Sequence, residues 1–154
     1  MISYLIGDAT RPQADGAKII VHVCNDIGGW GRGFVLALSK RWKQPEQEYR
    51  KWAASGEGFM LGAVQFVPVE EFITVANMVA QRDIRRSNRG VPPIRYEAVE
   101  QCLLQVAARA REIGASVHMP RIGCGLAGGR WEEVEPIIQR TMGDDIPVFV
   151  YDLV

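Results

Sequence analysis

Two glycine-rich stretches contain the residue types best suited to chemistry in this sequence, and the first is CNDIGGWGRGF at residues 24–34. Four glycines within positions 28–33 allow the backbone to approach a ligand closely and to adopt positive φ angles. A helix that begins after them would present free N–H groups to an anion. The spacing matches neither the G-x-x-x-x-G-K-S/T nor the G-x-G-x-x-G pattern. A tight turn without a ligand would use the same residues, so this stretch alone leaves both interpretations open.

The second stretch, MPRIGCGLAGGRW at residues 119–131, has the same layout of apolar run, clustered glycines and helical pattern. Its glycines lie at positions 123, 125, 128 and 129. Two such loops in one small chain, each leading from a strand into a helix, would bind a diphosphate from opposite sides. Turn geometry alone is a weaker explanation of the pair than phosphate binding. We therefore predict a phosphate-binding cleft between the two loops.

Short apolar runs rich in β-branched residues predict the strands that position these loops. The predicted strands cover residues 3–6, 18–24, 63–67, 72–78, 116–119 and 147–153. Apolar residues at helical spacing predict helices at about 33–42, 45–54, 95–113 and 131–141. Alternating strands and helices indicate an α/β fold with helices on both faces of the sheet. The short connection between 63–67 and 72–78 predicts an antiparallel hairpin, which makes the sheet mixed.

The composition is typical of one globular domain, with 154 residues of which 47% are hydrophobic and 23% charged. Lys plus Arg and Asp plus Glu number 18 each, and this zero net charge argues against nucleic acid as a partner. No apolar run approaches the roughly 20 residues that span a bilayer, so no membrane partner is expected. Residues 1–8 contain no basic segment, and we expect no signal peptide.

Cysteines and histidines give no sign of a metal site or a disulfide. Cys24, Cys102 and Cys124 are odd in number and lack C-x-x-C spacing, which favours a reducing cytoplasm and predicts no metal and no cofactor. His22 and His118 lie on predicted strands, where hydrogen-bonded core histidines are preferred to catalytic bases. A Cys24 nucleophile paired with His22 is the alternative to simple packing.

The chain resembles the macrodomain family, specifically the branch of the human terminal ADP-ribose protein glycohydrolase and its bacterial relatives. The matching elements are Gly7-Asp8 after the first strand, HVCND before GGWGRGF, PRIGCGL before GGRW, and VYDL near residue 153. They occur in the family's order along the whole chain, and PRIGCGL is the most specific of them. The resemblance implies a three-layer α/β/α fold with a central mixed sheet, formed as a single macrodomain by residues 1–154.

The same resemblance implies a cleft for ADP-ribose. Asp8, beside Ala9, would accept a hydrogen bond from the adenine amino group, and Tyr151 and Leu153 would line the adenine pocket. Asn25 would face the distal ribose. The residues that would wrap that ribose and one phosphate are Gly31, Arg32 and Gly33. The residues that would supply N–H groups to the diphosphate are Gly123, Cys124, Gly125, Leu126 and Ala127.

The sequence departs from the family where the human enzyme has a catalytic lysine and aspartate. The aspartate position is Ala127 here, and the segment NMVAQRDIRRSNRG at 77–90 has Gln81 near the expected lysine position. The one carboxylate near the predicted distal ribose is Asp26. It would orient a water as a catalytic residue, or else cap a turn by accepting backbone N–H groups.

Two surface features remain to be assigned. Arginines at positions 82, 85, 86, 89 and 95 form a basic segment that either is a solvated loop or attracts a polyanionic ligand. Trp30, in the first glycine loop, is the tryptophan expected to touch a ligand.

These observations leave three functions open. The first is an ADP-ribosyl-protein glycohydrolase that removes mono-ADP-ribose from acidic side chains without the family's lysine–aspartate pair. The second is a non-catalytic module that binds ADP-ribose or ADP-ribosylated protein. The third is a phosphatase acting on ADP-ribose 1″-phosphate.

Overall fold

A computed structural model describes residues 2–85 and 87–153 of the chain. Its strands are β1 Ile2–Ile6, β2 Lys18–Asn25, β3 Val64–Glu70, β4 Ile73–Gln81, β5 Ser116–Met119 and β6 Val148–Asp152. Its helices are α1 Phe34–Arg41, α2 Gln44–Ser55, α3 Tyr96–Ile113 and α4 Trp131–Met142. No helix in residues 2–85 and 87–153 has both the length and the apolar character needed to cross a bilayer.

The strands form one sheet in the order β1-β6-β5-β2-β4-β3. Neighbouring strands are parallel except β3, which pairs antiparallel with β4 so that Val64 lies opposite Met78. The predicted hairpin and mixed sheet are therefore confirmed. Because five strands share one direction, their carboxyl ends meet at a single edge of the sheet. The loops that follow β1, β2, β4 and β5 are consequently brought together there, beside the end of β6.

Helices cover both faces of the sheet and bury its apolar side chains. Residues of α3 and α4, such as Leu103 and Ile138, pack with Val21 in one cluster. Residues of α1 and α2, such as Leu38 and Tyr49, pack with other strand residues in a second cluster. This arrangement is the three-layer α/β/α fold predicted from the resemblance. The alternation of side chains along each strand explains how one sheet serves both clusters.

The hairpin strands are longer than the sequence pattern predicts. β3 continues to Glu70 through a bulge between Pro68 and Glu70, and β4 begins at Ile73 rather than at residue 72. β4 also continues to Gln81, three residues past the predicted end, because it pairs with β2 up to Asn25. This extension carries Gln81 to the edge of the sheet where the glycine loops lie.

Candidate functional site

Two adjoining cavities lie at the carboxyl edge of the sheet. The first, of about 250 Å³, is lined by both glycine loops, with His22 and Gln81 from the neighbouring strands. The second, of about 330 Å³, is lined by Asp8, Ala9, Tyr151 and Leu153 together with one face of α1. Phe34 and Pro120 line both. The two predicted ends of the binding site therefore line adjoining cavities.

The second glycine loop forms the floor of the first cavity and is closed by its own backbone. The N–H of Gly129 donates to the carbonyl of Gly123 at 2.7 Å, and the carbonyl of Ala127 accepts the N–H of Ile94 at 3.1 Å. Gly123 has φ 72°, a left-handed conformation that glycine adopts without strain. The N–H groups of Gly125, Leu126 and Ala127 make no hydrogen bond to any described residue. They are therefore available to an anion in the cavity.

Cys124 differs from its neighbours in this loop. Its N–H donates to the carbonyl of Arg121 at 3.3 Å, and its thiol lies 3.4 Å from the carbonyl oxygen of Ile122. The residue does not line either cavity. Burial raises the pKa of the Cys124 thiol. Its backbone is committed to the turn, which does not support the expectation that its N–H serves a diphosphate.

The first glycine loop contributes its carboxyl-terminal half to the cavity. Arg32, Gly33, Phe34 and Val35 line it, and Gly33 precedes α1 with φ 79°. The N–H groups of Phe34 and Val35, in the first turn of α1, have no hydrogen-bond partner among the described residues. Gly31 lines neither cavity and is exposed at the crest. Anion binding at this loop would therefore use the start of the helix.

Asn25 stabilises the first loop from beneath. Its Oδ1 accepts the N–H groups of Ile27 at 3.1 Å and Gly29 at 2.8 Å, and its Nδ2 donates to the carbonyl of Gly29 at 2.9 Å. Tyr49 lies below, its hydroxyl 3.0 Å from the same Oδ1. The side chain is buried and lines neither cavity. Its observed role is to hold the loop; contact with a ribose stays a prediction.

Trp30 is not available to a ligand. The side chain is buried, packs against the rings of Tyr49 and His22, and donates through Nε1 to Ser39 at 2.8 Å. The expectation that it touches a ligand is wrong because the apolar cluster under α1 and α2 draws the ring inward. No pattern in the sequence separates an inward from an outward tryptophan within a glycine loop.

Asp26 joins two loops. Its Oδ1 accepts the backbone N–H of Asp83 at 2.7 Å, and Asp83 has a positive φ of 58°. Gln81 donates through Nε2 to the carbonyl of Asp83 at 2.9 Å. Asp26 does not line the cavity, whereas Gln81 does. The capping alternative therefore describes the observed geometry, although the capped backbone belongs to another loop and not to the predicted neighbouring turn.

The basic segment is divided between two environments. Arg82, Arg85 and Arg89 are exposed, and Arg86 lies outside the described residues. Arg95 is half-buried and donates to the carbonyl groups of Pro92, Pro93 and Ile94. Its role is therefore to stabilise the turn before α3. The two interpretations made from the sequence were a solvated loop and a segment that attracts a polyanionic ligand. Both apply to the exposed arginines and not to Arg95.

At the other end of the cleft, one of the two carboxylate oxygens of Asp8 is hydrogen-bonded. Its Oδ1 accepts the N–H of Thr10 at 2.8 Å and the Thr10 hydroxyl at 2.7 Å. Its Oδ2 makes no hydrogen bond within residues 2–85 and 87–153. The carboxylate is thus held in place by one oxygen while the other remains available to a donor in the cavity.

Tyr151 is fixed by a chain of hydrogen bonds. Its hydroxyl accepts the N–H of Gln13 at 2.8 Å and lies 2.8 Å from Nδ1 of His118, whose Nε2 lies 2.8 Å from the Ser116 hydroxyl. A neutral imidazole fits these contacts in either tautomer, since the phenol oxygen can donate a hydrogen bond to Nδ1 or accept one from it. Burial, with a smaller contribution from Lys18, lowers the pKa of His118 to about 4. The aromatic wall of the second cavity is therefore held by an uncharged histidine.

His22 is also neutral in the folded protein. Burial lowers its pKa to about 4, and Nε2 lies 2.5 Å from Oδ1 of Asn77. The Cys24 sulfur is 3.7 Å from the same nitrogen, and burial raises the pKa of this thiol. A thiolate nucleophile has no support in this geometry. Among the described residues, no group of three His, Cys, Asp or Glu side chains could hold a metal ion.

The free energy of unfolding is expected to fall as the pH drops from about 6.5 to 4. Both histidines have folded pKa values near 4 against 6.5 when unfolded, so the unfolded chain binds more protons within that window. Each should contribute about 1.4 kcal/mol per pH unit. Urea unfolding between pH 7.5 and 5 measures the slope before most carboxylates titrate. A free energy that is constant over that range would contradict the prediction.

Comparison with known proteins identifies the family. The chain is 59% identical to a solved Bacteroides thetaiotaomicron protein of unknown function, covering 99% of this chain and 98% of that one with a TM-score of 0.98. It is 54% identical to a macrodomain protein from Streptomyces coelicolor, covering 99% of both chains with a TM-score of 0.87. The macrodomain of Mycobacterium tuberculosis DarG is 25% identical, covers 98% and 97%, and has a TM-score of 0.81. No profile of a known sequence family matches.

Curated relatives carry several activities. Chromodomain-helicase-DNA-binding protein 1-like of Danio rerio is 35% identical over 92% of this chain, which spans only 14% of that protein. ADP-ribose 1″-phosphate phosphatase of Candida albicans is 25% identical, covering 90% of this chain and 92% of that one. DNA ADP-ribosyl glycohydrolase of Thermus aquaticus is 26% identical over 88% of this chain and 37% of its own length.

The fold, the two-loop cleft and the Streptomyces coelicolor relative together define a macrodomain, and this chain belongs to the macrodomain family. Within the family, the similarity to the Mycobacterium tuberculosis DarG macrodomain supports the DarG-like branch.

Proposed function

We propose that this protein binds ADP-ribose along the cleft and hydrolyses mono-ADP-ribose from modified acidic side chains of proteins. The observation that carries the proposal is the pair of cavities that meet at Phe34 and Pro120. One offers a carboxylate oxygen and an aromatic ring, as an adenine requires, and the other offers bare backbone N–H groups, as a diphosphate requires. Relatives named for ADP-ribose chemistry support the same ligand.

Asp8→Ala tests the placement of the adenine. Loss of a hydrogen bond from the amino group to Oδ2 is expected to weaken ADP-ribose binding about tenfold, since bonds to charged groups contribute roughly 1.5–3 kcal/mol. Calorimetry with the hypoxanthine analogue, which lacks the amino group, separates this effect from damage to the Thr10 turn. The wild type should prefer ADP-ribose and the variant should not. Equal preference in both proteins would place the adenine elsewhere.

The reaction we propose needs little from the protein beyond positioning. The bond between C1″ of the distal ribose and the side-chain ester oxygen breaks, and the carboxylate leaves as an anion with the bonding electrons. Water bonds to C1″ and gives its proton to a diphosphate oxygen, which restores hydroxyl-terminated ADP-ribose. A carboxylate is a good leaving group, so the absence of a lysine–aspartate pair at Gln81 and Ala127 is compatible with turnover. Asp26 would act by holding the loop around Asp83.

Release of ADP-ribose from a protein modified on glutamate tests the activity. Free ADP-ribose is expected to accumulate with the wild type, while a protein modified on arginine should persist because its guanidine is a poor leaving group. No release from the glutamate-linked substrate, with ADP-ribose binding intact, would contradict hydrolysis and leave binding as the function.

Binding without turnover is the second candidate, and a specific observation favours it. Ala127 is buried, Gln81 is hydrogen-bonded to Asp83, and His22 is buried with Nε2 2.5 Å from Oδ1 of Asn77, so none of these cavity residues presents a free general base. One relative is named as an ADP-ribose 1″-phosphate phosphatase, so ADP-ribose 1″-phosphate should also be assayed as a substrate. Phosphate release from that compound would identify the third function.

We further propose that residues 1–154 act as one macrodomain in a reducing cytoplasm, where the three free thiols would persist. Proteins, and not nucleic acids, are the proposed carriers of the modification because the chain has no net charge. The Thermus aquaticus relative is named for DNA, so ADP-ribosylated DNA belongs in the same assay. Faster release from DNA than from protein would overturn this preference.

A further inference from the structure

The second cavity, in which we propose that the adenine binds, is called the adenine-end cavity here. It has more positive charge than ADP-ribose would require. Arg11, Lys40 and Arg41 line it, and Asp8 is the one acidic residue in its lining. Arg11 belongs to the loop after β1, whereas Lys40 and Arg41 belong to the last turn of α1. Cations are common in a final helical turn, but Arg11 comes from a separate element. Two walls of one cavity therefore supply the charge.

These cations are poorly neutralised. The side chains of Arg11 and Lys40 make no hydrogen bond or ion pair within residues 2–85 and 87–153. Arg41 has its Nη2 at 3.6 Å from Glu70 and its guanidinium 4.8 Å above the Trp42 ring. Its Nε is buried with no hydrogen-bond partner among the described residues. A buried donor in this state is uncommon and signals a group that gains from an acceptor.

ADP-ribose does not supply that acceptor at this end. Its negative charges lie in the diphosphate, which the proposed orientation places against the backbone N–H groups of the other cavity. Phe34 joins the cavities at the start of α1, and Lys40 lies six residues further along the helix. A rise of about 1.5 Å per residue puts the backbone of Lys40 roughly 9 Å along the helix from Phe34, and Arg11 lines the same cavity. That separation corresponds to the adenosine ribose, whose hydroxyls lie between the base and the 5′ phosphate.

We propose that Arg11, Lys40 and Arg41 form a subsite for a phosphate monoester on the 2′ oxygen of the adenosine ribose. The inference rests on the proposed binding of ADP-ribose and deepens it by naming the preferred ligand class, a 2′-phosphorylated ADP-ribose. Guanidinium and ammonium groups on two walls suit a dianionic phosphate because each provides charge-assisted hydrogen bonds. The relevant group is a phosphate attached directly to the 2′ oxygen. In a 2′-linked chain of ADP-ribose units, the next phosphate is one ribose further away.

Calorimetry with three ligands tests the subsite: ADP-ribose, ADP-ribose 2′-phosphate, and a dimer of ADP-ribose joined through the 2′ oxygen. We expect the 2′-phosphate to bind about tenfold tighter than ADP-ribose at low ionic strength, with the advantage shrinking as salt is added. The dimer should show no comparable gain. A gain for the dimer alone, or equal affinity of all three, would overturn the inference.

Variants test whether Arg11 and Lys40 cause the tighter binding of ADP-ribose 2′-phosphate relative to ADP-ribose. In the double variant Arg11→Ala/Lys40→Ala, the ratio of the two affinities should fall to about one. Lys40→Ala alone should lower the ratio, whereas Lys51→Ala, which removes the same single charge from an exposed position on α2, should leave it unchanged. A ratio that survives the double variant would refute the assignment. Failure of ADP-ribose itself to bind would refute the proposed function, and is distinguishable because each ligand is titrated separately.

Discussion

Replacing Gly129 with alanine is expected to destabilise the protein by about 3 kcal/mol and to remove most of its affinity for ADP-ribose. A Cβ atom at this position would lie 2.4 Å from the carbonyl oxygen of Gly123 and 2.8 Å from Cδ1 of Ile94. The oxygen belongs to the backbone, so relief requires the loop to move. Movement breaks the 2.7 Å hydrogen bond between Gly129 and Gly123 and displaces the N–H groups of residues 125–127.

Gly125→Ala is the matched control for this prediction. Gly125 lies in the same loop and has no positive φ, and a Cβ atom there would meet no heavy atom within 4 Å beyond its immediate chain neighbours. The stability of this variant should therefore remain within about 0.5 kcal/mol of the wild type. Urea unfolding measures both variants, and calorimetry measures ADP-ribose binding by Gly129→Ala. Equal unfolding midpoints for the two variants would show that the loop accommodates the methyl group.

Asn25→Ala is expected to cost about 2–4 kcal/mol and to disorder the first glycine loop. The substitution removes the acceptor of the N–H groups of Ile27 and Gly29 and the donor to the Gly29 carbonyl. It also removes an oxygen that lies 3.0 Å from the buried Tyr49 hydroxyl. Because the loop leads directly into α1, the N–H groups of Phe34 and Val35 should lose their fixed direction. ADP-ribose affinity should fall by more than about tenfold.

Two further variants, at positions 25 and 26, show which hydrogen bonds cause this effect. Asn25→Asp keeps the oxygen that accepts both N–H groups but places a buried carboxylate oxygen beside the Gly29 carbonyl oxygen, so it too should destabilise the protein. Asp26→Ala removes a single hydrogen bond, to Asp83, and should cost about 1 kcal/mol. If Asn25→Ala were no more destabilising than Asp26→Ala, the network around Asn25 would not be what holds the loop.

Much of the fold follows from local patterns in the sequence. The apolar residues of α3 recur at helical spacing, Pro92 and Pro93 precede the helix, and Gly114 ends it with φ 66°. Each of these signals depends on neighbours in the chain, as do the runs that predict the strands. The end of β4 did not follow in this way, because its last residues are held by pairing with β2, a strand distant in the chain.

The site was less predictable because its key contacts join distant segments. Asn25 in a glycine loop suggests a ligand contact, yet its amide is hydrogen-bonded to the backbone of its own loop. Asp26 caps Asp83, and nothing near either residue in the sequence indicates the partner. The cations of the adenine-end cavity were also missed. Lys40 and Arg41 look like ordinary residues of a final helical turn until Arg11 is placed beside them.

The position of β6 between β1 and β5 has a consequence for the order of folding. Ile2 pairs with Val148, so the first strand in chain order has no described partner in the sheet until the last strand has been added. Closing so long a segment is entropically costly and slows folding. During synthesis on the ribosome, the wall that carries Asp8 and Tyr151 should therefore form after the central strands. A nascent chain that lacks β6 would be expected to contain both glycine loops without the complete second cavity.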